Sequence, residues 1–230
     1  MSTPLVRATG LSRTYGSGAA ATVALHGVTC VVPPGARVAL TGPSGSGKST
    51  LLHLLAGLDK PTTGSISWPA LGTRQVLRPR LVGMVFQGPS LLPLLDVVEN
   101  VALPLLLADV PLARARERAL AALAALDLDG LAGKLPEELS GGQAQRVAVA
   151  RVLAIGPRLI LADEPTGQLD HATGARVVDA LLAAAGRSDC ALVVATHDAA
   201  VADRLPDRWA IADGRLWSGG SLRRGLPCSS

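Results

Sequence analysis

The sequence predicts an α/β fold in which a mainly parallel sheet carries a phosphate-binding loop. A glycine-rich loop at residues 42–50 follows the apolar run 36–40 and precedes the apolar run 51–55, which places it between a strand and a helix. Other β-rich runs also end in polar side chains. Ligands of open α/β sheets bind beyond the carboxyl ends of the strands, so the loop and these side chains are expected to share one crevice.

The glycine-rich loop has the residue types that hold a polyphosphate. A loop of this kind turns several backbone N–H groups inward, at the positive end of the helix that follows. Lys48 is expected to reach the outer phosphates and Ser49 to bind magnesium. The sequence therefore predicts nucleotide binding by Gly42, Pro43, Ser44, Gly45, Ser46, Gly47, Lys48, Ser49 and Thr50.

Four predicted strands of the core end next to polar residues or to the loop. Because parallel strands present their carboxyl ends at one edge, these residues are expected to converge on one nucleotide. The predicted strands and the residues that follow them are 37–41 with Gly42, 81–86 with Gln87, 159–162 with Asp163 and Glu164, and 191–196 with His197.

Two other kinds of structure are expected beside this core. Residues 5–32 alternate in a strand-like way around a turn at 15–18, which predicts a small antiparallel sheet. Residues 111–128 repeat Leu and Ala at helical spacing and predict a helical insert. The tail at 218–230 is rich in Gly and Ser and is expected to be frayed.

Composition limits the class of protein. Of the 230 residues, 48% are hydrophobic, 17% charged and 2% aromatic, which predicts a globular chain with a core of Leu, Val and Ala. The three cysteines are widely spaced, without a metal-binding pattern. The N-terminus lacks the apolar segment of a signal peptide, and charges and prolines interrupt the apolar stretch 91–110, so we expect an intracellular chain without a membrane span. The net charge of +4 is spread over many arginines and does not favour nucleic-acid binding.

A second glycine-containing segment precedes another predicted helix. Ser140, Gly141, Gly142 and Gln143 come before the helical pattern at 144–155, so they lie at a helix N-terminus. By itself, Ser-Gly-Gly is also compatible with a simple cap and turn. Beside a phosphate loop, the segment is expected to form a second anion site.

These segments occur in the order and rough spacing of the ATP-binding-cassette (ABC) ATPases, which the sequence resembles from about residue 5 to residue 217. The resemblance implies the ABC ATPase form of the P-loop NTPase fold, with a mainly parallel core sheet, an N-terminal antiparallel β subdomain and a helical insert. It also implies a single ABC ATPase domain over residues 1–217, a helical subdomain at about 89–156 and a flexible C-terminal tail at 218–230.

The resemblance implies that two ATP molecules are buried between two head-to-tail subunits, most simply a homodimer. In such a dimer the phosphate loop of one subunit holds ATP, and Ser140, Gly141, Gly142 and Gln143 of the other close over its γ-phosphate. Asp170 resembles the aspartate that communicates across the dimer. The two phosphate-seeking helix ends of one chain would thus serve different ATP molecules.

Catalytic roles are implied by the same resemblance. Asp163 would hold Mg²⁺ through its water shell, and Glu164 would orient and deprotonate the attacking water. Gln87 resembles the glutamine that contacts magnesium and that water. His197 resembles the switch histidine that contacts the γ-phosphate. Without the other motifs, a histidine is more often an ordinary core or loop residue. Tyr15 lies where the family places a ring that stacks on adenine, although a half-buried turn aromatic is the alternative.

Within the family, the sequence looks most like the lipoprotein-release and macrolide-export branch, whose ATPases pair with mechanically acting permeases. The segments that carry this likeness are 14–16, 57–59, 61–64, 91–93, 99–101, 103–104 and 162–167. Two departures stand out. The stretch 67–83 is shorter than is usual in that branch, and Gln168 stands where asparagine is usual. Neither removes a catalytic group, and the first is expected to bear on permease docking.

The resemblance therefore predicts an ATP-binding and ATP-hydrolysing subunit, with ATP and Mg²⁺ as cofactors, that drives a separate integral membrane permease through residues 87–110 and the helical insert. Such a subunit would be cytoplasmic and peripheral on the cytoplasmic face of the cell membrane. A cytosolic ABC ATPase acting on DNA or the ribosome is the alternative, although the chain has no long heptad run, zinc pattern or second cassette. A small-molecule kinase would not need residues 139–143 or His197.

Overall fold

A computed structural model describes residues 2–88, 90–186 and 189–218. All but the first residue of the predicted C-terminal tail therefore lies outside the described residues. No helix in the described ranges is long and apolar enough to cross a membrane. The strands are β1 (Val6–Tyr15), β2 (Thr22–Val32), β3 (Arg37–Thr41), β4 (Thr63–Ser67), β5 (Val82–Val85), β6 (Leu159–Asp163), β7 (Ala191–Ala195), β8 (Asp207–Ala212) and β9 (Arg215–Ser218). The helices are α1 (Lys48–Leu55), α2 (Val97–Leu106), α3 (Leu112–Ala124), α4 (Gly141–Ile155), α5 (His171–Ala185) and α6 (Ala199–Ala202).

The strands form two sheets. The larger has six strands in the order β5-β6-β7-β3-β8-β9, in which only the β8–β9 pair is antiparallel. The smaller has three antiparallel strands in the order β2-β1-β4. The predicted fold class is thus confirmed, with a mainly parallel core sheet and an N-terminal antiparallel subdomain. Strands β4, β8 and β9 were not predicted from the sequence.

The six-stranded sheet separates two hydrophobic cores. Side chains of a strand alternate between its faces, so in β7 Leu192 and Val194 point to one core, whereas Ala191, Val193 and Ala195 point to the other. The first core, on the helical face, contains buried side chains of α2, α3, α4 and α5. The second contains α1 together with β1 and β2 of the small sheet. The phosphate-loop helix and the helical region therefore pack on opposite faces.

Polar side chains inside the apolar stretch 91–110 serve to start α2. Asp96 is the N-cap, and it forms a capping box with Glu99 through bonds of 2.7 and 2.9 Å. Asn100 is fully buried and donates to the carbonyl groups of Leu92, Leu95 and Asp96. Its side-chain oxygen accepts from the Leu92 amide at 2.8 Å. The loop before α2 is thus tied to the helix by one amide side chain.

The short segment between β4 and β5 caps the C-terminus of α1. Three of its side chains donate to carbonyl groups at the end of this helix and just beyond it, which have no partner within the helix. Two of the donors are guanidinium groups, whose positive charge also suits the negative end of a helix. The bonds join Trp68 to Leu55 (2.9 Å), Arg78 to Ala56 (2.5 Å) and Arg74 to Gly57 (2.7 Å). This segment belongs to the stretch 67–83, which is shorter than is usual in the branch, and it stabilises the phosphate-loop helix.

Candidate nucleotide site

The carboxyl ends of four neighbouring parallel strands lie at one edge of the large sheet. These strands are β5, β6, β7 and β3, in that spatial order. Bonds just beyond the strands continue the ladder, since the Glu164 amide donates to Ala195 at 2.9 Å and the Thr196 amide donates to Leu40 at 3.1 Å. The sequence-based expectation that these strand ends share one edge agrees with this arrangement.

The phosphate loop is held so closely that two of its positions require glycine. A Cβ on Gly42 would overlap the carbonyl oxygen of Ile211. Gly47 is the N-cap of α1 with φ 103°, and a Cβ there would lie 2.5 Å from the carbonyl oxygen of Ala24. The loop is therefore seated against β2 and β8, and the N-terminus of α1 opens directly into it.

Lys48 folds back over this loop. Its side chain is 8% exposed, and its Nζ donates to the carbonyl oxygens of Gly42 at 2.8 Å and Pro43 at 3.0 Å. Among the described residues, the buried Ser46 hydroxyl of the same loop has no hydrogen-bond partner. A buried ammonium bonded to two neutral carbonyls and an unpaired hydroxyl are groups that an anion in the loop would satisfy.

Asp163 and Ser49 form a pair of oxygens suited to a hard cation. Asp163 is buried, and burial raises the pKa of its carboxyl above the ordinary value, against the opposing effect of a hydrogen bond from Ser49. In the described part of the chain its Oδ1 has no hydrogen-bond partner. Magnesium is bound by one or two protein oxygens together with phosphate and water oxygens, so this unpaired carboxylate oxygen beside a hydroxyl fits a magnesium ion.

Glu164 and His197 form a contact pair beside Asp163. The Nδ1 atom of His197 lies 2.9 Å from Oε2 of Glu164. The Glu164 side chain is 10% exposed, whereas that of His197 is 73% exposed. Glu164 has φ 47°, a left-handed conformation that costs a residue with a side chain about 1–2 kcal/mol. Such local strain, fixed by surrounding bonds, is typical of functional positions.

Tyr15 is held by two charged residues that the sequence did not point to. The Arg13 guanidinium lies over the Tyr15 ring, 4.4 Å from its centre, and the Tyr15 hydroxyl donates to Asp59 Oδ2 at 2.9 Å. Arg13 donates to the same oxygen at 2.8 Å. Burial alone would raise the pKa of Asp59, but the Lys60 amide, the Tyr15 hydroxyl and Arg13 together lower it. The strand period places Arg13 on the same face as Tyr15, but nothing local indicated Asp59.

Helix α4 packs on the helical face of the sheet, and Leu139, just before its N-terminus, packs against the same core. Ser140 caps it, accepting from the Gln143 amide at 3.2 Å, and the Gln143 side chain bonds back to the Ser140 amide at 2.9 Å. The cap that was considered as an alternative is therefore present. A Cβ on Gly142 would lie 3.1 Å from Leu169. The segment thus packs against the residues that precede α5.

Two other candidate residues occupy positions at element ends. Asp170 is the N-cap of α5, and its carboxylate accepts a hydrogen bond from the Thr173 amide at 3.0 Å. This bond, followed by one from the Thr173 side chain, lowers the pKa of the Asp170 carboxyl. Gln87 follows β5 at the same edge as Asp163 and is exposed. Its neighbour Phe86 has its ring 5.9 Å from that of His53 on α1.

The fold and this edge define an α/β nucleotide-binding protein of the P-loop class. A profile of the ABC transporter family matches residues 25–167. The lipoprotein-releasing system ATP-binding protein LolD of Legionella pneumophila (strain Paris) is 42% identical over 215 residues, which cover 90% of this chain and 95% of that protein. LolD of Hyphomonas neptunium is 40% identical over 223 residues, covering 94% and 98%. The chain therefore belongs to the ABC transporter family, and it is an ATP-binding subunit that hydrolyses ATP.

Solved structures agree with this assignment. A dimer of the ATP-binding cassette MJ0796 in a post-hydrolysis state, bound to ADP and Pi, has a TM-score of 0.85 and 36% identity. The match covers 96% of this chain and 100% of that chain. The family and the likeness to the lipoprotein-release branch, both predicted from motifs, are thus confirmed.

Proposed function

We propose that the chain binds Mg-ATP at the carboxyl edge of its parallel sheet and drives a separate membrane permease of the export or mechanotransmission type. One observation carries this proposal: the phosphate loop, the Glu164–His197 pair and a buried carboxylate oxygen of Asp163 lie at one edge of the sheet, and that oxygen has no hydrogen-bond partner among the residues described. Residues 1–217 would act as one ATPase domain, with a helical subdomain at about 89–156.

Within one subunit, the side chains divide the work on ATP. Lys48 would leave its two carbonyl partners and bind the outer phosphates, while the loop amides hold the rest of the chain of phosphates. Ser49, Asp163 and Gln87 would hold Mg²⁺, which neutralises charge that develops on the phosphates. Tyr15, held in place by Arg13 and Asp59, would stack on adenine.

Glu164 would act as the general base. Its carboxylate is largely buried at the strand end and lies in contact with His197. A positioned carboxylate can orient the attacking water and accept its proton. His197 would fix the carboxylate by the 2.9 Å contact and, being mostly exposed, present its other ring nitrogen to the γ-phosphate.

A second copy of the chain would complete the site. Ser140 and the α4 N-terminus lie on the opposite face of the sheet from α1, so they are poorly placed to serve the ATP held by their own subunit. A head-to-tail homodimer would bring them to the partner's ATP, with Asp170 nearby. The dimeric form of the MJ0796 cassette supports this arrangement.

The permease is expected to bind an exposed leucine surface, defined here as Leu92, Leu94, Leu106, Leu107 and Leu112. Leu94 is 91% exposed although its loop is tied to α2 by Asn100. An ordered loop that displays apolar side chains is typical of a protein-binding surface. Through this contact the chain would sit on the cytoplasmic face of the cell membrane.

A capture experiment tests whether the chain binds a membrane permease through the exposed leucine surface. Tagged Glu164→Gln, isolated from detergent-solubilised cells with ATP and magnesium, is expected to retain an integral membrane protein identified by mass spectrometry. Adding Leu94→Asp should remove that protein, because a charge would replace the most exposed of these five leucines. Val31→Asp, at an exposed position on β2, is the matched control and should retain it. Recovery of only soluble or nucleic-acid-associated partners would overturn the proposal in favour of a cytosolic ABC ATPase.

A further inference from the structure

Two side chains of α4 hold the segment that contains Gln87. The Gln145 amide nitrogen donates to the Phe86 carbonyl at 3.2 Å. The Arg151 guanidinium donates to the Ser90 carbonyl at 2.8 Å and to the Ser90 hydroxyl at 2.6 Å. Gln87 lies between these two attachment points. The position of its backbone is therefore set on both sides by α4.

Gln145 is an unusual residue for its surroundings. It is fully buried, and its side-chain oxygen has no hydrogen-bond partner within residues 2–88, 90–186 and 189–218. An unpaired buried acceptor is unfavourable, and an apolar side chain of the same size would avoid that cost. The bond to Phe86 is thus the specific contribution of this amide, and it suggests a role other than stability.

Arg151 makes a bond pattern that few side chains can make. Its planar guanidinium presents two donors to two oxygens of one residue. Arg151 is half-buried, and this burial lowers the pKa of its guanidinium. A lysine would keep the charge but could not reproduce the paired donors.

Helix α4 is fixed to the strand that leads to Gln87. A Cβ on Gly83 of β5 would lie 2.5 Å from Cγ1 of Val152, so α4 touches the backbone of β5 directly. The same helix begins at the Ser140 cap. One rigid element thus joins the Ser140 end to both attachment points of the Gln87 segment.

We propose that Gln145 and Arg151 are positioning residues that set the place of Gln87 relative to the α4 N-terminus. The inference rests on the proposed roles of Gln87 and Ser140 in the nucleotide site. Both residues would act through the position of the Gln87 backbone, and neither Gln145 nor Arg151 touches the reacting atoms.

The test compares Gln145→Met and Arg151→Lys with the wild-type chain. Arg118→Lys is the matched control, since Arg118 also donates to a carbonyl at α4, that of Ile155 at 3.1 Å, but does not contact the Gln87 segment. In the nucleotide-free protein, hydrogen exchange of the peptide spanning residues 86–92 is expected to be about tenfold faster in both test variants. For Gln145→Met the thermal midpoint should stay within about 2 °C of wild type.

The kinetic signature should separate positioning from stability. We expect kcat to fall about tenfold, the KM for ATP to change less than about twofold, and more Mg²⁺ to be needed for half-maximal turnover. Arg118→Lys should match wild type in all three measurements. Should Arg151→Lys fold poorly, Ser90→Ala removes one of its two bonds and should shift exchange and kcat in the same direction.

Two results would overturn the inference. The first is unchanged exchange of residues 86–92 in Gln145→Met and Arg151→Lys. The second is a kcat loss that Arg118→Lys shares. In both cases, turnover of Mg-ATP by the wild-type chain would still support the proposed nucleotide site. If the wild-type chain showed no turnover, that result would contradict the nucleotide site itself.

Discussion

Replacing Glu164 with glutamine is expected to slow ATP hydrolysis by at least ~10²-fold while ATP still binds, as loss of a general base implies. Glutamine keeps the shape of the side chain and can still bond to His197, but it cannot accept the proton of the attacking water. Since Lys48, Ser49 and Asp163 are unchanged, the phosphates should be held as before. Single-turnover hydrolysis and equilibrium ATP binding measure the two effects separately.

The same variant should accumulate as an ATP-bound dimer, because the closed state no longer decays through hydrolysis. Size-exclusion chromatography with light scattering, with ATP and magnesium present, measures this directly. Adding Ser140→Arg is expected to abolish the dimer but spare ATP binding, since a bulky cation at the α4 N-terminus blocks closure and opposes the helix dipole. A Glu164→Gln chain that stays monomeric would contradict the two-subunit site.

Replacing Lys48 with alanine is expected to abolish ATP binding. The ammonium is buried in the phosphate loop with two carbonyl oxygens as partners, so it supplies the charge that the outer phosphates meet there. Without it, the loop offers backbone dipoles and hydroxyls alone. Calorimetric titration with ATP should therefore show no saturable binding.

Lys134→Ala is the control for this loss, because Lys134 is an exposed lysine outside the site. Both variants should show the circular dichroism spectrum of the wild-type chain, which separates lost binding from lost folding. Retained affinity in Lys48→Ala would mean that residues 42–50 are not the phosphate site.

The sequence was most informative where a local pattern carries the structure. The strands before Gly42, Gln87 and His197 were placed within about two residues, because buried parallel strands read as short apolar runs. Strands β8 and β9 were missed, since they follow a short helix without a comparable signal. The helix predicted over 111–128 is shorter, ending at Ala124, with Asp127 in a left-handed conformation at φ 54°.

The site was less predictable where distant residues meet. The bond between Tyr15 and Asp59 joins residues 44 apart, and that between Gln145 and Phe86 joins residues 59 apart. No local period reports such contacts. The left-handed conformation of Glu164 was equally hidden, because it is imposed by bonds around a strand end and not by its own residue type.

The separation of two cores by the large sheet bears on the genetics of the dimer. Residues that would bind a subunit's own ATP lie with α1 on one face of the sheet. Residues that would contact the ATP of the other subunit lie with α4 on the opposite face. Consider a mixed dimer in which one subunit carries a defect on the α1 face and the other carries a defect on the α4 face. Both defects would then fall in the same composite ATP site, and the other site would be intact. Two alleles of the same kind would damage both sites. Interallelic complementation should therefore occur between faces of the sheet and fail within a face.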